Sequence, residues 1–310
     1  MQAAKYVGTT TMSEKVFRLS IISSCFRGDA YLSSFIDQLM SQTLFPRLEW
    51  VLIHNEPSPH EMEIVREFQE RFPEKIKHFV IHPVEPLSAS WNRGWKCASA
   101  EYVSFWNLDD CRPQDSLQRQ VETLERNPDC AMTYGDYLEV KQYGSSSGIW
   151  RKTPPAYITL LRRVFPGGAF MVWRKNAAER IGYFDEQLNI VCDYDLVTRA
   201  AVSGMKICKT SGLVGYFTNE GLGLSTINGT NKVTVERTVV QLRYALFDKV
   251  IPDNILDAKN YRISEILIEG HWFSLIVFVR NYLSYVRRRM FLQKLGGLRR
   301  FFMRILGAKG

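Results

Sequence analysis

The stretch Glu101-Tyr-Val-Ser-Phe-Trp-Asn-Leu-Asp-Asp110 decides the fold of this chain. Its first six residues are mostly aromatic or β-branched, and the apolar run is too short for a helix, so it predicts a short buried strand. The strand leads into Asn107, Asp109 and Asp110. Because ligands bind at the carboxyl ends of strands in open α/β sheets, these oxygens are candidate ligands for Mg²⁺ or Mn²⁺. The alternative is that the two aspartates only turn the chain and cap a helix beginning near Asp115.

Predicted strands and helices alternate around this stretch. Further strands are predicted at residues 17–24, 49–54, 76–82 and 131–134. Helices are predicted from a cap at Asp29, from a Ser58–Glu61 capping box to Phe72, and at residues 88–98 and 115–127. Strands that alternate with helices of this length predict an α/β fold with a mostly parallel, doubly wound sheet.

The middle of the chain is less regular. Residues 141–152 are polar and rich in Gly and Ser, which predicts a mobile surface loop. Gly167-Gly168 predicts a tight turn before a strand at 169–173, and a short helix at 174–181 is closed by Gly182. Asp193-Tyr-Asp195 opens another helix, which ends at Gly204.

Composition restricts the class of protein. The 310 residues are 45% apolar, enough for a full core. Six cysteines without a CxxC pair predict reduced thiols in a cytosolic setting, and five histidines without HxH or HxxxH spacing argue against a zinc site. The polar residues 1–14 lack a signal core, and the apolar run at 272–279 is too short to span a bilayer. We therefore expect a cytoplasmic protein.

The net charge of +8 comes from the C-terminal part, because residues 271–310 contain nine Lys or Arg and no Asp or Glu. An amphipathic helix is predicted at 232–248, followed by helical segments at 263–268 and 272–285. Residues 285–306 interleave basic with apolar side chains, which favours an anionic membrane surface. The alternatives are nucleic-acid binding, which we do not expect, and a helix packed on the core with a solvated basic face.

Seven features in order resemble glycosyltransferase family 2, whose fold is GT-A. The resemblance covers about residues 16 to 225. Its motifs are Gln42-Thr43, Asn92-x-Gly94, Asn107-Leu-Asp109-Asp110, Gly167-Gly168, Gly182-Tyr-Phe184-Asp185, Asp193-Tyr-Asp195-Leu196 and Arg199 with Gly204.

The resemblance implies roles for individual residues. Asp109 would hold a divalent ion, Mn²⁺ or Mg²⁺, that bridges the donor's diphosphate, with Asp110 assisting. Asp193 matches the family's catalytic base, although an aspartate here is also suited simply to cap the helix. Two positions depart from the pattern, because Asn107 replaces an aspartate and Cys192 replaces a glutamate.

The nucleotide-sugar donor would be bound by side chains at the same edge of the sheet. Asn55 or Glu56 stands where the family has the acid that reads the nucleobase. Trp91 stands where many members have an arginine near the diphosphate, so charge compensation there would rest more on the metal, or on Arg93. The full set of expected donor-binding residues is Ser24, Asn55, Glu56, Asn92, Arg93, Asn107 and Leu108, with Gly167, Gly168 and Asp195 in the donor and acceptor loops.

These features predict an inverting glycosyltransferase with a GT-A domain at 16–225, a polar tail at 1–15 and a helical, basic appendage at 226–310. The expected donor is a nucleotide-diphosphate sugar, with UDP favoured. The expected acceptor is a glycan or lipid-linked glycan of a surface polysaccharide, met at the inner face of the membrane. The alternatives are a non-catalytic homologue that binds nucleotide sugars or glycans, and a nucleotidyltransferase on a related sheet. The latter would need a glycine-rich, lysine-bearing loop after the first strand, which the segment 24–28 lacks.

Overall fold

A computed structural model describes residues 17–153, 170–221, 229–244, 265–268 and 271–274. The polar tail at 1–15, Gly167-Gly168 and the basic segment at 285–306 lie outside the described residues. The chain divides into two compact units. The described part of the first unit comprises residues 17–153, 170–183 and 206–220, and the second unit takes the remainder.

One sheet of eight strands organises the first unit. Its order is β3-β2-β1-β4-β7-β5-β6, and β8 pairs with β5. Neighbours are parallel from β3 through β4 and between β5 and β8, whereas β7 runs antiparallel to β4 and β5, and β6 antiparallel to β5. The strands are β1 (Leu19–Cys25), β2 (Leu48–Asn55), β3 (Ile76–Ile81), β4 (Tyr102–Phe105), β5 (Cys130–Val140), β6 (Gly148–Arg151), β7 (Val172–Arg174) and β8 (Lys206–Thr218).

Helices of the first unit cover both faces of this sheet. They are α1 (Leu32–Ser41), α2 (Pro59–Arg71), α3 (Leu87–Cys97), α4 (Ser116–Arg126) and α5 (Ala177–Ile181). Alternate strand residues point to opposite faces. Ile21 belongs to the core cluster that α1, α2 and α4 cover, whereas a Cβ on Gly94 of α3 would lie 2.3 Å from Ile22. Gly94 therefore allows α3 to pack directly against β1, and the predicted mostly parallel α/β sheet is confirmed.

The second unit contains helices α6 (Cys192–Val202) and α7 (Gly229–Arg243) and an antiparallel pair of strands, β9 (Glu265–Ile268) and β10 (His271–Ser274). The helical prediction was wrong at 265–268 and 271–274. The sequence between the two strands is Glu269-Gly270. The antiparallel pairing of the two described segments takes precedence over the helical pattern.

Three other local predictions were wrong. Residues 148–151 form an edge strand inside the predicted loop, because they pair with β5. Asp29 does not cap α1: its carboxylate accepts a hydrogen bond from Ser58 Oγ at 2.8 Å, and the capping position belongs to Tyr31. Cys130 and Cys208 form a disulfide with 6.0 Å between their Cα atoms, so these two are not reduced thiols. The capping box of Ser58 and Glu61 is confirmed.

Candidate functional site

Asn55 ties together the polar residues at the carboxyl ends of β1 and β2. Its Nδ2 donates to Ser24 Oγ at 3.3 Å and to Ser90 Oγ at 3.1 Å, and its Oδ1 accepts from the Glu85 backbone N at 3.0 Å. Asn55 is 1% exposed, so these bonds use its amide within the protein interior. Glu56 follows it at the surface, with φ of 45°. A left-handed backbone at a non-glycine residue is strained, and such strain concentrates at functional sites.

The two predicted donor-binding residues of α3 have different surroundings. Asn92 is 4% exposed. Arg93 forms a bidentate pair with Glu85, with Nε to Oε1 at 3.1 Å and Nη2 to Oε2 at 2.8 Å. This pair holds the guanidinium at the rim of the sheet, where an anionic ligand would compete with Glu85 for it.

The loop after β4 separates the two adjacent aspartates. Asp110 is 1% exposed, and its Oδ1 accepts from the Thr218 backbone N at 3.1 Å. Its Oδ2 accepts weakly from Asn107 Nδ2 at 3.4 Å. Burial, and then the neighbouring Asp109 carboxylate, raises the pKa of Asp110 well above its usual range. Asp109 is partly exposed, and Leu108 between Asn107 and Asp109 packs into the core cluster.

Glu220 is a functional candidate that the sequence analysis missed. Its Oε2 accepts from Tyr31 Oη at 3.1 Å and its Oε1 accepts from the Tyr143 backbone N at 2.9 Å. Burial raises the pKa of Asp109, and the negative charge of Glu220 raises it further. The two carboxylates therefore repel each other, and a divalent cation bound between them would offset that repulsion. Glu220 follows β8, a strand that the sequence did not predict.

Arg112 is a second residue that the sequence analysis missed. It is 4% exposed, and it donates to Gln120 Oε1 at 2.9 Å and to Ser104 Oγ at 3.1 Å. Burial lowers the pKa of the guanidinium to about 9, while the charge of Asp110 acts in the opposite direction. Arg112 therefore places a buried positive charge near Asp110, and its position two residues after that aspartate was the available signal.

Asp193 lies in the first turn of α6 and is partly exposed. Its Oδ1 accepts from the Tyr194 backbone N at 2.7 Å. Burial raises the pKa of Asp193 to about 6, which is closer to the range of a general base at neutral pH than the usual aspartate value. Asp193 is not the N-cap of α6, because that position belongs to Val191.

Glu236 of α7 orders the segment that leads into α6. Its carboxylate accepts from the backbone N atoms of Asn189 at 3.1 Å, Ile190 at 2.8 Å and Val191 at 3.1 Å, and the residue is fully buried. Three backbone donors before α6 are therefore satisfied by one distant carboxylate, which fixes the position of Asp193. The sequence predicted α7 but gave no sign of this contact.

Asp195 is buried in an ion-pair network of the second unit. Its Oδ1 accepts from Arg243 Nη1 at 2.8 Å and from Tyr244 Oη at 3.2 Å, and its Oδ2 pairs with Arg199. Arg243 also donates to Asp185 Oδ2 at 2.7 Å. These contacts give Asp195 a structural role in the second unit, and its role in the donor and acceptor loops stays a prediction.

Within the described residues, no helix combines the length and apolarity needed to cross a bilayer.

Similar proteins of known sequence point to one family. Residues 20–187 match the model described as "Glycosyl transferase family 2". An uncharacterized glycosyltransferase of Nostoc sp. is 28% identical over 108 residues, covering 35% of this chain and 33% of that protein. The minor teichoic acid biosynthesis protein GgaB of Bacillus subtilis is 29% identical over 120 residues, covering 37% of this chain and 13% of GgaB. The match to these two relatives spans a third of their length or less.

Solved structures share the fold at low sequence identity. Residues 1–349 of TarS from S. aureus, in complex with UDP-GlcNAc, align with a TM-score of 0.59 and 18% identity over 86% of this chain and 72% of that one. The mannosyltransferase PcManGT of Pyrobaculum calidifontis, in complex with GDP-Man and Mn²⁺, aligns with a TM-score of 0.53 and 15% identity over 80% of this chain and 66% of that one. Since the family model spans more than half of the sequence and the sheet has the matching GT-A fold, the chain belongs to glycosyl transferase family 2.

Proposed function

We propose that the chain is an inverting, metal-dependent glycosyltransferase that uses a nucleotide-diphosphate sugar. The observation that carries the proposal is the partly exposed Asp109 in the loop after β4, whose carboxylate interacts electrostatically with that of Glu220 after β8, in a chain of glycosyl transferase family 2. Both side chains offer hard oxygen ligands, which suit Mn²⁺ or Mg²⁺. When bound, the ion would neutralise the charge that develops on the departing diphosphate.

Asp109 is the better direct ligand of the two adjacent aspartates. Its carboxylate is partly exposed, whereas that of Asp110 is occupied by the Thr218 backbone N and by Asn107. Asp110 then acts as a positioning residue that holds the loop, as its hydrogen bonds support. Glu220 extends the ligand set beyond the residues expected from the sequence.

Asp193 is proposed as the general base. The acceptor hydroxyl oxygen attacks the anomeric carbon, the bond from that carbon to the diphosphate oxygen breaks, and the hydroxyl proton moves to Asp193. The nucleoside diphosphate leaves without needing a proton from an acid, so one catalytic carboxylate suffices. A glycoside hydrolase would instead need an acid and a base flanking the bond.

The donor would be recognised by residues at the carboxyl ends of β1 and β2 and on α3. Asn55 has its amide bonded within the protein, so Glu56 is the acid left to read the nucleobase. Arg93 would leave Glu85 to contact the diphosphate, while Ser24, Asn92 and the backbone of the 107–108 segment line the same edge. We favour a UDP-sugar because the TarS structures hold UDP and UDP-GlcNAc.

The acceptor is proposed to be a glycan or lipid-linked glycan of a surface polymer. The support is GgaB, whose name assigns it to minor teichoic acid biosynthesis. The basic segment at 285–306 would bring the enzyme to the anionic inner face of the membrane. The domain boundaries predicted from the sequence, at residues 16–225 and 226–310, belong to this proposal.

Two substitutions test the proposal. Asp109→Asn should abolish ion-dependent donor binding, whereas Asp193→Asn should retain donor binding and lose turnover. Asp37→Asn, on the exposed face of α1, is the matched control and should behave as wild type. Calorimetry measures donor binding, and release of nucleoside diphosphate measures turnover. Wild-type protein that binds donor but releases no nucleotide with any acceptor would support the non-catalytic alternative.

A further inference from the structure

Three chemically reactive side chains meet below the rim of β1 and β2. Cys25 ends β1, His54 is its register partner on β2, and Glu61 lies in the first turn of α2. Their potential ligand atoms all lie within 4.8 Å of one another. The three residues are 1%, 0% and 1% exposed, respectively. The proposed transfer reaction uses none of them.

One ring nitrogen of His54, Nε2, is buried without a hydrogen-bond partner among the described residues. Its Nδ1 lies 3.1 Å from His78 Nε2, so one proton is shared between these two nitrogens. If His54 Nδ1 carries that proton, the neutral ring presents a lone pair at Nε2. This Nε2 is fully buried and has no hydrogen-bond partner among the residues that the structure describes. It points towards Glu61 Oε2 at 3.5 Å, and two lone pairs facing each other require a proton or a cation between them.

The charge of Glu61 also lacks a full counterpart. Its oxygens accept from the backbone N atoms of Gly28 and Ser58, the latter at 2.6 Å. The Cys25 thiol donates to Oε1 at 3.7 Å. Within the described part of the chain, the one basic side chain paired with this carboxylate is His54 at 3.5 Å, and it offsets the negative charge only when its ring is protonated. A buried carboxylate is costly unless it is paired. A divalent cation bound by this carboxylate, a thiolate and a neutral imidazole would make the buried group electrically neutral.

The potential ligand atoms lie close enough together to share one metal ion, since all are within 4.8 Å of one another. Cys25 Sγ lies 3.7 Å from Glu61 Oε1, and His54 Nε2 lies 3.5 Å from Glu61 Oε2. The two distances from Glu61 end on different oxygens of its carboxylate. Ligands bound at about 2.0–2.3 Å with tetrahedral angles are separated by about 3.3–3.8 Å. Gly28 closes the site, because a Cβ there would lie 2.5 Å from Cys25 Sγ.

We propose that Cys25, His54 and Glu61 bind a structural Zn²⁺ ion. Sulfur and imidazole ligands select zinc over Mg²⁺ and Mn²⁺, so the site is chemically distinct from the acidic edge at Asp109. His54 would bind through Nε2 while its Nδ1–H donates to His78, the arrangement that orients most metal-binding histidines. The ligands come from separate elements, which explains why no metal-binding spacing is visible in the sequence.

The ion would fasten α2 to the ends of β1 and β2. Cys25 follows Ser24, and His54 precedes Asn55, so both ligands adjoin residues proposed to line the donor site. Loss of zinc should therefore lower the melting temperature and loosen the donor edge. The zinc proposal does not depend on the proposed glycosyltransferase activity. Zinc content can be measured without any substrate.

The first test is the metal content of the purified full chain after dialysis against metal-free buffer, by mass spectrometry. Wild type should hold one zinc per chain, and Cys25→Ser and His54→Gln should hold almost none. Cys97→Ser is the matched control, since Cys97 is a free thiol outside the cluster. Asp109→Asn should retain zinc. Wild type without zinc, or Cys25→Ser with the wild-type amount, would overturn the proposal.

Cobalt substitution gives a readout that does not depend on variants folding. Wild-type protein reconstituted with Co²⁺ should show thiolate-to-cobalt charge-transfer absorption and the visible bands of a tetrahedral ion. His78→Phe should weaken zinc affinity by about 10- to 100-fold while leaving the ligands in place. Wild-type protein that binds Co²⁺ without charge-transfer absorption would exclude Cys25 as a ligand.

Discussion

The pH dependence of turnover should follow the ionisation of Asp193. Burial raises the pKa of this carboxyl from 3.8 to about 6, and only the carboxylate can take the acceptor's proton. A base with a pKa of about 6 is about 90% ionised at pH 7 and about 10% ionised at pH 5, so kcat should fall about tenfold between them. An aspartate with the ordinary pKa would still be about 94% ionised at pH 5 and would give an almost flat profile.

The assay is release of nucleoside diphosphate at saturating donor and acceptor between pH 5 and pH 8, because kcat reports the enzyme–substrate complex. The divalent ion must be saturating at every pH. Otherwise protonation of Asp109 would release the ion and add its own pH dependence to kcat. Asp193→Asn should lower kcat by about 10²- to 10⁴-fold with an unchanged donor dissociation constant. Asp37→Asn should keep the wild-type profile.

Stability should change with pH in the opposite direction. Since the folded-state pKa of Asp193 is raised, its stabilising contribution is full below 3.8 and is lost as the pH rises through about 6. The difference corresponds to at most about 3 kcal/mol in the free energy of unfolding. Asp193→Asn should therefore be more stable than wild type at pH 7 and similar to it at pH 4. A flat kcat between pH 5 and pH 7, or an Asp193→Asn variant with near wild-type turnover, would refute the assignment of the base.

Substitutions at three further residues test the supporting structure. Arg243→Met leaves Asp185 and the buried Asp195 without a shared cation and should lower the free energy of unfolding by about 3–5 kcal/mol in urea titrations; a loss below about 1 kcal/mol would contradict the network. Glu236→Ala removes the acceptor of three backbone N–H groups and should cost at least about 2 kcal/mol while also lowering kcat, and wild-type stability would mean that water replaces the carboxylate. Glu56→Gly should be about 1–2 kcal/mol more stable than Glu56→Ala in thermal unfolding, because alanine has a Cβ that is strained at φ of 45° and glycine has none. Both variants should bind the donor more weakly than wild type.

Local signals in the sequence predicted most of the first half of the fold. The capping box of Ser58 and Glu61 lies within four residues, and the buried strand Tyr102–Phe105 is encoded by its own apolar side chains. Both depend on neighbours in sequence. For this reason the alternating strands and helices, and with them the carboxyl-end location of Asp109, followed from the sequence.

Features that depend on pairing between segments distant in the sequence could not be predicted from it. The strand Lys206–Thr218 has a mixed pattern of buried and exposed residues and gains its hydrogen bonds from β5, so Glu220 at its end had no predicted position. The edge strand Gly148–Arg151 is exposed throughout, and its polar surroundings resemble a loop. Its strand conformation depends on pairing with residues 137–140.

The distinction between neighbouring aspartates also needed the structure. Asp109 and Asp110 are equivalent in the sequence, but the Thr218 backbone N selects Asp110 for the interior. The structure distinguishes Asp193 from Asp195 in the same way. Arg243, 48 residues further along the chain, pairs with Asp195 and not with Asp193. Tertiary contacts, which the local pattern does not contain, thus decide which carboxylates remain available for chemistry.

The most direct test of the central claim is a thermal-shift panel of UDP-, GDP-, dTDP- and CMP-sugars, each with and without Mn²⁺ or Mg²⁺, on wild type and Asp109→Asn. The ion is omitted rather than chelated, so that the proposed zinc site stays intact. One nucleotide class at about 100 times its dissociation constant should stabilise wild type by about 2.7 kcal/mol, only with the ion and not in Asp109→Asn. No shift with any donor, or a shift that persists without the ion and in Asp109→Asn, would contradict the account.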